Sequence, residues 1–236
     1  MIEFKNVCLK YVKDYFALYD VNFQFEKGNV YNVVGQNASG KSSLLRCIAN
    51  LEKDYNGEIL YNEKEIRTYD FSCDISVGYV PMQPVVLEKQ TLEQNLCFAI
   101  KNRDIVEEEE KNYYIDRLLN GFNLNKFKNT KIKKLSYFDK QKFALARMSM
   151  RDIDILLIDN VFDQLSKEEI ENFINYVKEF LIKENNITII ASSFALTDYF
   201  DNLKVVYINA GMIKIDEQSD DIEENKITQH SEEVNN

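Results

Sequence analysis

Gly35-Gln36-Asn37-Ala38-Ser39-Gly40-Lys41-Ser42 sets two glycines, a lysine and a hydroxyl at the spacing G-x-x-x-x-G-K-[ST]. That spacing suits the gripping of a polyphosphate. Glycines let the backbone curl until several N–H groups point at the β- and γ-phosphate oxygens. A helix beginning at the loop adds positive potential. The Lys41 ammonium would bridge β- and γ-oxygens, and the Ser42 hydroxyl would ligate Mg²⁺. A second group is Ile155-Leu156-Leu157-Ile158-Asp159, an apolar run ending in a carboxylate. Many strands end in Asp, so the run says little by itself. Following the loop in this order, Asp159 is positioned to hold the same Mg²⁺, directly or through water. The expected nucleotide-binding set is Gly35, Gln36, Asn37, Ala38, Ser39, Gly40, Lys41, Ser42 and Ser43, with Ser42 and Asp159 on the metal.

These groups need rigid supports. Val30-Tyr31-Asn32-Val33-Val34 reads as a strand feeding the loop, and helical spacing of Leu44, Leu45, Ile48 and Leu51 follows it. Ile2–Phe4, Val7–Leu9 and Leu18–Phe25 read as strands, as do Ile59–Tyr61 and Val77–Val80. From Thr91 to about Leu135 the pattern is helical and charged, and Glu107–Glu110 fits a solvated helix face. Ser136–Met150 and Glu168–Lys183 read as helices, and Ile187–Ala191 and Val205–Ile208 as strands. The unbroken apolar run before Asp159 is typical of a strand buried on both faces of a parallel sheet. Alternation of strands and helices predicts an α/β core with a helical insertion.

Composition excludes several classes. The formal charge is −10, and Asp216–Asn236 carries eight acids against Lys226, leaving −3 for residues 1–215. A nearly neutral body with an acidic tail offers no footprint for nucleic acid. The four cysteines stand singly, without a C-x-x-C pair, and His230 is the only histidine. That argues against a zinc centre or a His-based triad, and the cysteines read as reduced core filler. The N-terminus lacks a signal-peptide pattern. No apolar run approaches the roughly 18–20 residues a membrane span needs, so any membrane role would run through a partner.

Further segments extend the pattern. Val77-Gly78-Tyr79-Val80-Pro81-Met82-Gln83-Pro84 precedes Thr91-Leu92-Glu93-Gln94-Asn95-Leu96. Leu135-Ser136-Tyr137-Phe138-Asp139-Lys140-Gln141 runs into Lys142-Phe143-Ala144-Leu145-Ala146-Arg147, and the chain closes with Val205–Ile213. With the phosphate loop, these make the chain resemble the ATP-binding-cassette (ABC) ATPase family over roughly residues 2–216. The resemblance implies a P-loop NTPase fold of ABC type: a mixed-sheet core, an antiparallel β subdomain and an inserted helical subdomain at about 84–150. Residues 1–216 would form the cassette and 217–236 an acidic, disordered tail. It also implies ATP and Mg²⁺ as ligands. Tyr11 would stack on adenine, with Tyr15 and Phe16 as alternatives. Ser136 would reach the ATP of a partner subunit.

Departures from the family pattern fall on the hydrolytic residues. Asn160 stands where the family has its general-base Glu, and an amide takes no proton at neutral pH. Asp163 is a nearby alternative base. Ser193 replaces the switch histidine and is too short to do its work. Met82 falls at the Q-loop glutamine, leaving Gln83 one place late as the stand-in catalytic and metal-binding residue. Tyr137 and Phe138 replace both signature glycines. The resemblance implies a head-to-tail dimer, homo- or heteromeric, on separate transmembrane permease subunits at the cytoplasmic face of the membrane, with slow or impaired hydrolysis. The alternative is a non-hydrolysing regulatory pseudo-ATPase paired with an active paralogue. A soluble ABC protein acting on DNA or ribosomes fits the acidic balance and the absence of coiled-coil insertions poorly.

Overall fold

An apolar run such as Ile155–Ile158 is stable as a strand only if both of its faces are covered. In the computed structural model they are. Ile155 and Leu157 point into one hydrophobic cluster, and Leu156 and Ile158 into another on the opposite face. The model describes residues 1–13, 15–70, 76–100, 108–150, 152–182, 187–193, 196, 199–200 and 202–214.

The strands are β1 (Ile2–Val12), β2 (Tyr15–Phe25), β3 (Val30–Val34), β4 (Tyr55–Tyr61), β5 (Lys64–Glu65), β6 (Val77–Pro81), β7 (Ile155–Asp159), β8 (Thr188–Ser192), β9 (Leu203–Asn209) and β10 (Met212–Lys214). The helices are α1 (Lys41–Ile48), α2 (Leu92–Ile100), α3 (Glu108–Gly121), α4 (Tyr137–Met148) and α5 (Lys167–Tyr176). The core sheet has the order β10-β9-β3-β8-β7-β6. Strands β9, β3, β8, β7 and β6 run parallel, and β10 pairs antiparallel with β9 at the edge. A second, antiparallel sheet has the order β2-β1-β4-β5.

The two faces of the core sheet are covered differently. One carries α1 through Leu44, Leu45 and Ile48, together with Phe4, Val21 and Phe25 of the antiparallel sheet. The other packs against Leu92 and Leu96 of α2, Ile115 and Leu119 of α3, Phe143 of α4 and Phe173 of α5. Helices α2–α4 lie in sequence between β6 and β7. Here the mixed core, the antiparallel β subdomain and the inserted helices of an ABC-type P-loop NTPase are all present.

Several element boundaries differ from the sequence reading. Ile2–Phe4 and Val7–Leu9 belong to one strand, β1; its register against β2 shifts between Phe4 and Val7, with Asn6 at φ 50° between them. The stretch read as one helix to Lys183 is α5 followed by a π-helical turn, Val177–Leu181. Helix α5 begins where Ser166 and Glu169 form a reciprocal capping box. In the acidic run Glu109 and Glu110 are exposed, whereas Glu107 lies outside the described residues. Cys47 is buried and Cys8 and Cys97 are partly so, while Cys73 and the tail at 217–236 also lie outside the described residues.

Candidate nucleotide-binding site

The loop after β3 turns back on itself at Ala38 (φ 62°) and Gly40 (φ 110°), then enters α1 at Lys41. Only glycine adopts the second conformation without strain, and a Cβ there would sit 2.4 Å from the Ala17 carbonyl oxygen. A Cβ at Gly35 would lie 2.1 Å from the Ile208 carbonyl oxygen, because the loop presses against β9. Gly211, in the turn before β10, donates its N–H to the Ser39 carbonyl at 2.9 Å. The loop is thus clamped by the antiparallel sheet and by the edge of the core sheet.

Lys41 is buried, and its Nζ donates to the carbonyls of Gly35 (2.7 Å) and Gln36 (2.8 Å). Burial lowers its pKa, opposed by the negative charges of Asp163 and then Asp159. Ser42 Oγ donates to Asp159 Oδ1 at 2.8 Å across 117 residues of sequence. Asp159 also accepts from Ser192 Oγ (2.9 Å, Oδ1) and from Tyr79 OH (2.9 Å, Oδ2). Burial, with the Asp159 charge beside it, holds the Tyr79 phenol well above its ordinary pKa, so it remains a donor.

A cleft of about 280 Å³ is lined by Tyr11, Tyr15, Ala17, residues 37–43 and Asn160. Tyr11 OH donates to Ser43 Oγ at 3.3 Å, and Tyr15 OH to the Ala38 carbonyl at 2.8 Å. Both rings are about half exposed, with Tyr11 at 50% and Tyr15 at 46%, so either could present a face to a planar base. Asn160 has φ 52°, a left-handed conformation that asparagine tolerates better than most residues. Its N–H is shared between the carbonyl and hydroxyl oxygens of Ser192, each at 3.1 Å. Ser193 is buried and clamped by Asn32 of β3. The Asn32 amide donates to its carbonyl at 2.8 Å and accepts its N–H at 3.1 Å. Ser193 Oγ donates to Asp163 Oδ1 at 3.3 Å.

These features fit a magnesium-bound polyphosphate. Ser39 Oγ is buried at the loop without a hydrogen-bond partner, an orphan that an anionic oxygen would satisfy. Among the described residues no group of three or more His, Cys, Asp or Glu side chains could hold a metal. A hydroxyl and a carboxylate, Ser42 and Asp159, are the hard-oxygen set from which Mg²⁺ keeps most of its coordination for phosphate and water.

Not every expected residue converges on the cleft. Gln83 is exposed and is not among its lining residues. Ser136 caps α4, accepting from the Asp139 N–H at 3.0 Å and donating to Asp139 Oδ2 at 2.8 Å. Tyr137 turns inward: its OH donates to the Val161 carbonyl at 3.4 Å and accepts from Gln141 Nε2 at 3.0 Å. Gln141, fully buried, also donates to the carbonyls of Pro81 (3.2 Å) and Met82 (3.1 Å). Tyr79, Ser192, Asn32 and the Tyr137–Gln141 link escape sequence reasoning. Ser192 lies opposite Asp159 in the β7–β8 register, and Tyr79 is on β7's other neighbour. For the three strand residues the missing signal is strand order, which no local pattern carries; the Tyr137–Gln141 pair is an i,i+4 contact on α4.

A parallel sheet whose β3 runs into a Gly-Lys-Ser loop, with a carboxylate meeting the loop serine, defines the P-loop class of nucleoside-triphosphate-binding α/β proteins. The "ABC transporter" family model matches residues 18–163. The chain therefore belongs to the ABC transporter family, as a nucleotide-binding subunit. Among curated proteins it is 27% identical over 216 residues to the energy-coupling factor transporter ATP-binding protein EcfA1 of Staphylococcus aureus, covering 90% of this chain and 80% of that one. Among solved structures it matches the ATP-binding cassette MJ0796 bound to ADP and Pi, with TM-score 0.78, 24% identity and coverage of 91% and 97%. It also matches cbiO1 of Clostridium perfringens, part of the transporter complex cbiONQ, with TM-score 0.74, 22% identity and coverage of 91% and 86%. At these identities the structural matches speak for the fold. No helix among the described residues is long and apolar enough to cross a membrane.

Proposed function

We propose that this chain binds ATP with Mg²⁺ through residues 35–43, closes on it as a homo- or heterodimer, and couples that closure to separate transmembrane permease subunits from the cytoplasmic face of the membrane. The observation that carries the reading is the 2.8 Å hydrogen bond from Ser42 to Asp159 beside the Lys41 ammonium. Lys41 would exchange the two loop carbonyls for phosphate oxygens, and the orphaned Ser39 hydroxyl would gain a partner. Tyr11 or Tyr15 would cover the base. Bound Mg²⁺ would supply charge neutralisation on the phosphates. The family membership supports this assignment, and the names of EcfA1 and of the cbiONQ complex suggest the kind of assembly.

Hydrolysis is slow on this reading. Asn160 can orient water but cannot take its proton, and losing a general base typically costs roughly 10²–10⁴ in rate. A second reading, a non-hydrolysing regulatory subunit paired with an active paralogue, is favoured by one observation. The only proton of the Ser136 hydroxyl is committed to Asp139 rather than presented to a partner's nucleotide. Calorimetry with ATP and Mg²⁺, beside a phosphate-release assay, tests both. The expected result is binding that Lys41→Ala abolishes, with slow turnover. Absence of ATP affinity in the intact protein would sink the nucleotide reading, and turnover at ordinary transporter-ATPase speed would sink the slow-hydrolysis part. Binding without any turnover would select the regulatory reading.

A further inference from the structure

The cleft lacks a carboxylate at Asn160 but has one nearby. Asp163 lies in the short helical turn Phe162–Gln164, which the buried Phe162 anchors edge-on against Phe173, with ring centroids 5.3 Å apart. Its Oδ1 accepts the Ser193 hydroxyl at 3.3 Å, and Ser193 is itself locked by two hydrogen bonds to Asn32 within the core sheet. A chain of fixed groups thus runs from β3, the strand that feeds the phosphate loop, to the Asp163 carboxylate. Ser193 directly follows Ser192, whose hydroxyl donates to Asp159 Oδ1 at 2.9 Å, and the same Asp159 oxygen accepts from Ser42. The Ser193–Asp163 pair thus adjoins the hydroxyl–carboxylate set of the phosphate loop, three residues beyond Asn160 of the cleft lining. Asp163 is also exposed, so its other oxygen is open to water. Asn160, by contrast, has its N–H committed to Ser192, and its Oδ1 lies 3.4 Å from the Ser192 hydroxyl.

We propose that Asp163 is the base for ATP hydrolysis in this chain, with Ser193 as the positioning residue that holds it. The inference rests on the ATP reading of the cleft given above. In the step assigned to it, the water oxygen bonds to the γ-phosphorus while the bond from that phosphorus to the β–γ bridging oxygen breaks. The bridging oxygen leaves with the electron pair as part of ADP. One water proton passes to the Asp163 oxygen not engaged by Ser193 and is later released to solvent, with inorganic phosphate as the second product. An exposed carboxylate held by one neutral hydroxyl would be a less constrained base than one buried in the site, in keeping with slow turnover.

The test uses the full-length protein with Asp163→Asn, Asp163→Ser, Ser193→Ala and Ser193→Thr. ATP–Mg²⁺ binding is measured by calorimetry, turnover by phosphate release, and the persistence of an ATP-dependent dimer by size-exclusion chromatography. Both Asp163 variants are expected to bind ATP like the parent, lose about 10²-fold or more in turnover, and retain the ATP-loaded dimer for longer. Two replacements at an exposed site guard against a folding artefact in either one. Ser193→Ala should lose part of the rate and Ser193→Thr, which keeps the hydroxyl, should restore it, a pattern that a loss of packing would not produce. Unchanged turnover in both Asp163 variants with binding intact overturns the proposal alone, as does a parent protein that binds ATP with no measurable turnover. Absence of ATP binding in the parent overturns the nucleotide reading and this proposal together.

Discussion

Asn160→Glu puts a carboxylate at the position where the family resemblance implies one. Asn160 follows Asp159 at the end of β7 and lines the cleft, so a side chain one methylene longer extends into the cleft rather than into the core. A general base is worth roughly 10²–10⁴ in rate, about 3–5 kcal/mol of barrier, and a carboxylate at 160 would supply the part of it that Asp163 does not. A cost opposes it. At φ 52° a glutamate lacks asparagine's tolerance of left-handed backbone, and the difference is about 1 kcal/mol. That strain is present in both the ground and transition states, so it lowers stability and leaves the rate gain intact. For a chain of this size it amounts to a fall of about 2–4 °C in Tm. The assay is phosphate release at saturating ATP–Mg²⁺ beside a thermal melt. We expect only the lower end of the rate gain, because Tyr137 and Phe138, at positions where the family resemblance implies signature glycines, remain in place. With Glu at 160, adding Asp163→Asn should change turnover little, since the new base makes Asp163 redundant. Unchanged turnover in the single variant, with ATP binding and folding preserved, would refute the idea that the quality of the base limits the rate.

Gln141→Met removes the buried amide that serves the Pro81 and Met82 carbonyls and the Tyr137 hydroxyl. Leaving buried polar groups unpaired costs about 1–3 kcal/mol, which a lowered urea midpoint at unchanged m-value would report; an unaltered midpoint would mean that water replaces the amide. Stability should also fall as pH climbs above 9. Burial pushes the Cys47 thiol from 9.0 up to about 12, and burial raises the phenols of Tyr55, Tyr61 and Tyr79 as well. Above pH 9 the unfolded chain sheds these protons first, so the native state binds more protons and loses ground with each further step in pH. Below that range these groups are protonated in both states and contribute no slope. Melts at neutral pH and again above pH 9 check the sign, and equal midpoints would contradict it. Over the same range Cys47 should resist thiol reagents in the folded protein.

How much could be read without the fold differs from residue to residue. The phosphate loop is legible because its chemistry is local. Gly35, Gly40, Lys41 and Ser42 sit within eight positions, and the backbone path between them is dictated by residue type. The strand before Asp159 is legible because burial on both faces demands an unbroken apolar run. Local pattern also marks the α/β class through its alternation of periods. The partners of Asp159 are another matter. Ser42, Tyr79 and Ser192 reach it across 117, 80 and 33 residues; Tyr79 and Ser192 meet it because β7 lies between β6 and β8, and Ser42 because α1 follows β3, two places along the same sheet. The Asn32 clamp on Ser193 spans 161 residues and depends on β3 lying next to β8. That Asn160 and Ser193 stand where the family resemblance implies a Glu and a switch histidine is an expectation drawn from the letters alone. That Ser193 instead holds the Asp163 carboxylate is visible only in three dimensions. Hydrophobic period tells which side chains are buried and on which face, since that depends on neighbours three or four residues away. The order of parallel strands is set by long crossovers and by packing of the whole core, and every hydrogen bond that passes from one strand to the next inherits that order.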